Sequence, residues 1–213
     1  MNKKQKFIVL FALFIVPLLF YVFLSMGINN FAKLPVVTKN VVDISSINKN
    51  HQFKKKISIV TFLGKQVEYV KGEYFNLNQK IYKPFYDFKD FQIIVIAVKG
   101  TENEVFKLKK QLAAFTDMKS WSFVFINQNE IKAIYNSFNT KQALDNNLHT
   151  SKAFIVDKDN CLRGRNNDKD IGVLYGYNMT SVGELNDKMK DDVKVVLAEY
   201  RLALKKNNAN REI

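Results

Sequence analysis

One cysteine and two histidines are the only thiol and imidazole groups in this chain. Cys161 stands alone, so no internal disulfide can form, and it is read as an unreactive thiol near a turn. His149 precedes a short apolar strand and is read first as a polar residue at that strand's mouth. Its chemical alternative is a weak or shared metal ligand completed by a partner. Cys161 lies past the far end of the same strand. The eight residues from His149 to Asp157 span roughly 26 Å when extended, so the two cannot join one site within a chain. His51 is read as a surface residue. Asp157, Asp159, Asp168 and Asp170 lack the alternating ligands, middle glycine and closing glutamate of a calcium loop, and read as a hairpin turn and a solvated loop.

The stretch expected to position chemistry is a buried strand at 57–63 followed by a loop over 64–73, because α/β folds gather ligands at the carboxyl end of such strands. That loop reads GKQVEYVKGE. It holds no Cys, no His, no serine elbow and no phosphate-cradling glycine run. No catalytic residue and no cofactor-binding residue is assigned, and His149 is the one weak metal candidate.

The chain opens with three lysines, then an uncharged apolar run bounded by Phe7 and Leu24. Eighteen residues at about 1.5 Å each give roughly 27 Å, close to the hydrocarbon thickness of a bilayer. The run has no polar face, and the lysines lie on one side only. It reads as a single-pass anchor with the N-terminus in the cytoplasm and the domain facing the periplasm or cell exterior. A cleaved signal peptide is the rival, but the run is long for one and Ser25-Met26-Gly27 matches a cleavage site poorly. The net charge of +13 is spread along the chain, which argues against a nucleic-acid stripe. The expected partners are the lipid bilayer and a protein of the envelope.

The expected plan is a cytoplasmic N-terminus (1–6), an anchor (7–24), a tether (25–52), one domain (53–205) and a polar tail (206–213). Within the domain, strands are expected at 57–63, 91–98, 121–126 and 153–156. Helices are expected at 76–86 (Leu77, Ile81, Phe85), after Thr101 as a cap (Val105, Leu108, Leu112, Phe115), around 131–138 and from Ser181 through Leu204. A hairpin follows the fourth strand. Crossover helices between the first strands, then a hairpin and a helix, make an α/β sheet with an antiparallel edge and helices on its faces, the thioredoxin-like plan.

Over roughly residues 50–205 the chain resembles the thioredoxin-like SCO/SenC family of membrane-anchored copper chaperones and thiol proteins. The likeness rests on the single anchor, the strand WSFVF from Trp121 followed by QNEI, and the segment LHTSKAFIVDKD from Leu148. The resemblance implies copper and redox chemistry on a Cys-x-x-x-Cys-Pro motif after the first strand. Here that place holds residues 67–71, Val67 to Lys71, without a thiol. Of the three ligands implied, only the histidine carries over, as His149. A lone imidazole holds Cu(I) weakly, since Cu(I) prefers thiolates closing around it. The expectation is therefore a non-catalytic binding or assembly protein without a cofactor. The alternative is an SCO-type copper or thiol protein using His149 with a partner.

Overall fold

The computed structural model describes residues 2–25 and 33–208, with side chains over 2–23 and 33–201. They form two units, divided between residues 32 and 33. The first is helix α1 (Lys3–Ser25), which continues through Pro17 and is long and apolar enough to cross a membrane. Its 23 residues span about 34 Å.

The second unit runs in order through β1 (Val36–Thr38), a 3-10 turn at Ile44–Ser46, β2 (Ile57–Gly64), α2 (Val67–Leu77), α3 (Lys83–Phe85), β3 (Phe91–Val98), α4 (Glu102–Ala113), β4 (Trp121–Ile126) and α5 (Gln128–Ser137). It continues through β5 (His149–Val156), β6 (Leu162–Arg163), β7 (Arg165–Asp168), β8 (Gly172–Leu174), β9 (Tyr177–Asn178), α6 (Val182–Glu184) and α7 (Lys190–Asn208). One sheet carries the order β1-β6-β5-β2-β3-β4, with β9 also on β5. β2, β3 and β4 are parallel, and β5 runs antiparallel to β2. Ile57 pairs with Phe91, Ile93 with Trp121 and Thr61 with Ala153, so the four expected strands are neighbours in one sheet. This is the thioredoxin-like plan.

β2 and β3 are buried at every position, which is why they read as continuous apolar runs. On one face Ile59, Ile93 and Val95 meet Tyr74, Leu77, Leu108, Leu112, Met189 and Val193. On the other, Val60, Phe62, Ile94 and Ile96 meet Ile131 and Ile134 of α5 and Phe138 just past its end.

Four boundaries differ from expectation. The helix after β2 begins at Val67, and the connection is only residues 65–66. Val67, Tyr74 and Leu77 repeat at helical spacing toward the core, while Glu68, Tyr69 and Gly72 face outward and obscure the period. A π-helical stretch (Asn78–Tyr82) carries the helix into α3. β5 starts at His149, four residues before the apolar run, because Leu63 and Phe62 pair with His149 and Thr150 beyond a bulge. Thr101 does not cap α4 with its side chain; its hydroxyl donates to the Val98 carbonyl at 2.8 Å. The last helix runs to Asn208, past the expected domain end at 205. The side chain of Leu204 and residues 209–213 of the tail lie outside the described residues, as do residues 26–32 of the tether.

From Leu34 onward the expected tether is part of the domain. β1 pairs with β6, and Leu34, Val41, Ile44 and Phe53 are buried. Asp43 organises the segment. Its carboxylate accepts from the backbone N–H groups of Ser45 (2.9 Å), Lys54 (3.0 Å) and Phe53 (3.1 Å) and from the Asn160 amide (3.2 Å). Burial alone would raise the Asp43 pKa, but these donors outweigh it and hold the group below its usual value. The stability it carries is complete above the unfolded carboxylate range, near ~4, and is lost as pH falls through the depressed folded value. Urea midpoints should therefore fall on acidification from pH ~4 more steeply for the wild type than for Asp43→Asn. Parallel curves would contradict this.

Candidate functional site

The corner between β2 and α2 is where this architecture places ligands. Gly64 closes the strand with φ of 74°, and a Cβ there would lie 2.6 Å from the Asn147 carbonyl and 2.7 Å from the His149 Cβ. Only glycine lets β2 and β5 approach so closely at this end. The Lys65 N–H donates to the Asn147 carbonyl at 2.9 Å, tying the corner to the β5 approach. Glu68 sits in the first turn of α2, favourable beside the positive end of the helix, and is paired with Lys71.

His149 does face this corner. Its Nε2 is 3.0 Å from Glu73 Oε2, and its Nδ1 is 3.9 Å from Asp145 Oδ2. Its backbone N–H donates to Asp145 Oδ1 at 2.7 Å. The residue before it, buried Leu148, is held at φ of 62°, an unusual conformation for a branched side chain, by the turn closed on Asp145. The imidazole and the Glu73 carboxylate are 14% and 12% exposed. His149 is thus engaged by a carboxylate on α2. Glu73 is the partner that sequence reading missed; reading α2 from Val67 would have placed it on the helix turn beside the corner.

The other candidates lie elsewhere. Cys161 is half-buried in the β5–β6 turn, at the far end of β5 from His149, with Sγ 3.7 Å from the Asp159 carbonyl. Asp157 is buried and accepts from the Asp159 and Cys161 N–H groups and from Arg163 Nη1 at 2.9 Å, as a hairpin turn requires. Asp168 and Asp170 both bind Lys188, at 2.9 and 2.6 Å. That pairing, led by the Lys188 hydrogen bond, holds the Asp168 pKa below its usual value. His51, expected at the surface, is half-buried, and burial followed by the Lys56 charge lowers its pKa. Among the described residues no group of three or more His, Cys, Asp or Glu is arranged to hold a metal ion.

No family model matches the chain, and no curated protein matches it. Solved structures do. An SCO1/SenC family lipoprotein from Bacillus anthracis is 14% identical with a TM-score of 0.45, covering 79% of this chain and 99% of that one. Arabidopsis thaliana ScoI with copper bound is 17% identical with a TM-score of 0.44, covering 68% and 87%. A thioredoxin-family thiol:disulfide interchange protein from Chlorobium tepidum is 16% identical with a TM-score of 0.43, covering 80% and 99%. The chain is similar to these proteins in fold. Its thioredoxin-like character stands on its own strand order: three parallel strands joined through helices, then an antiparallel strand and hairpin that complete the sheet.

Proposed function

We propose that the chain is a membrane-anchored, thioredoxin-like protein that works by binding, as a non-catalytic assembly or scaffolding factor on the outer side of a cell membrane. The observation that carries this reading is the β2–α2 corner. It offers no thiol, its histidine is engaged by Glu73, and the single cysteine lies at the opposite end of the sheet. The corner still presents a surface. Tyr69, on the first turn of α2, is 86% exposed beside the exposed Lys65. α1 supports the anchor, being long and apolar enough to span.

Two measurements on the full chain in mild detergent or membranes test the reading. Reduction of insulin disulfides by dithiothreitol should run no faster with the protein than without it. An acceleration abolished by Cys161→Ser would overturn the non-catalytic assignment. A photo-crosslinker replacing Tyr69 should give a discrete protein adduct in native membranes, and a position that yields none would overturn the binding surface.

A further inference from the structure

The two edges of the central sheet are built differently. β1 is three residues long, interrupted by a bulge, and flanked by Lys33 and Lys39. Short strands, bulges and lysines are how natural sheets block pairing with another chain. β4 is twice as long and has no bulge, although Lys119 flanks it two residues before Trp121. Its six residues, WSFVFI, carry no charge and no proline, and its pairing with β3 is unbroken. All of these residues but Ser122 are β-branched or aromatic types that favour strands.

The backbone of β4 has a free side. The Ser120 and Ile126 carbonyls accept from β3-side N–H groups at 2.8 and 3.0 Å, so the even-numbered residues turn their peptide groups inward. By the two-residue period, Phe123 and Phe125 turn theirs outward, while the Trp121 N–H folds back to the Met118 carbonyl at 3.1 Å. A groove of about 530 Å³ follows this edge, lined by Phe123, Phe125 and Phe106 with the charged Glu102 and Lys109 and, across the edge, by Ser122 and His51. Phe106 is 57% exposed.

We infer that this edge pairs with the β4 edge of a second copy of the chain. The strands run antiparallel, with Phe123 of each opposite Phe125 of the other and the two-fold axis at Val124. An occupant of the edge must supply outward peptide groups at alternate residues, and β4 supplies them in self-complementary form on a strand that itself carries no charge. In this register each Phe123–Phe125 pair exchanges both its hydrogen bonds, and only free peptide groups are used. The phenylalanines of both copies line one face as cross-strand aromatic pairs. In this register Lys119 falls opposite the uncharged Asn129.

The test is the protein mass of the full chain in detergent, with the micelle subtracted, across micromolar concentrations. The wild type should be a dimer. Phe125→Lys and, separately, Ser122→Lys should each move the monomer–dimer midpoint at least tenfold upward with unchanged circular dichroism. Ser122 is half-exposed, so it carries the test if Phe125→Lys fails to fold. A spin label at Ser122→Cys, in a Cys161→Ser background, should report about 14 Å between the labelled Cα atoms. A wild-type monomer, a dimer indifferent to both lysines, a different label spacing, or a heterologous protein released by the lysines would each overturn the pairing.

Discussion

Replacing Arg163 with methionine should lower the unfolding free energy by about 3–5 kcal/mol, the cost of leaving a buried charge without its partner. Arg163 is 5% exposed and joins three parts of the domain. Its Nε donates to the Leu34 carbonyl (2.8 Å), Nη1 to Asp157 (2.9 Å) and Nη2 to Glu199 on α7. Without it, the Asp157 carboxylate stays buried, held only by turn N–H groups, and the N-terminal segment loses one of its ties to β6, the backbone pairing of β1 remaining. The urea midpoint should drop with little change in slope. Adding Asp157→Asn should recover part of the loss, because the amide oxygen still accepts from the turn N–H groups while the stranded charge is gone. A loss under about 1 kcal/mol in the single variant would mean that water or a neighbour replaces the guanidinium.

Phe62→Ala should cost a similar amount, about 3–5 kcal/mol, for a different reason. Phe62 is fully buried on β2, with ring centroids 5.1 Å from Tyr135, 5.6 Å from Phe138 and 6.1 Å from Phe154. The ring joins α5 to two strands, so its removal opens a cavity that edge-to-face neighbours cannot close. Phe106→Ala serves as the control and should change monomer stability by less than about 0.5 kcal/mol, since that ring is mostly exposed. Equal losses at the two positions would contradict the placement of the core.

The parallel strands were legible because burial on both faces leaves an uninterrupted apolar run, as in FQIIVIAV of β3. α4, α5 and the last helix were legible from one apolar stripe each, although Phe115, read with the α4 stripe, lies past the helix end and is exposed. The first half of β5 was not, since only His149 and Thr150 of its residues HTSK pair with β2, beyond a bulge, and all four stay partly exposed. Neither was the start of α2, whose outer face carries a glycine and an exposed tyrosine. Residues 34–52, expected as a tether, were misread for a deeper reason. They are held by Asp43 reaching Phe53, Lys54 and Asn160 and by Arg163 reaching the Leu34 carbonyl, and such long-range bonds leave no periodicity in the chain. The candidate site divides the same way. His149 was visible as a residue type in its place before a strand, whereas Glu73 is 76 residues away and becomes its neighbour only through the fold.

The most direct measurement is a Cu(I) titration of the full chain in detergent against a competing chromogenic chelator, with wild type beside His149→Ala. A β2–α2 corner without thiols predicts that both proteins leave the copper with the chelator. One Cu(I) held per wild-type chain and released by His149→Ala would contradict it, and would return the corner to metal handling.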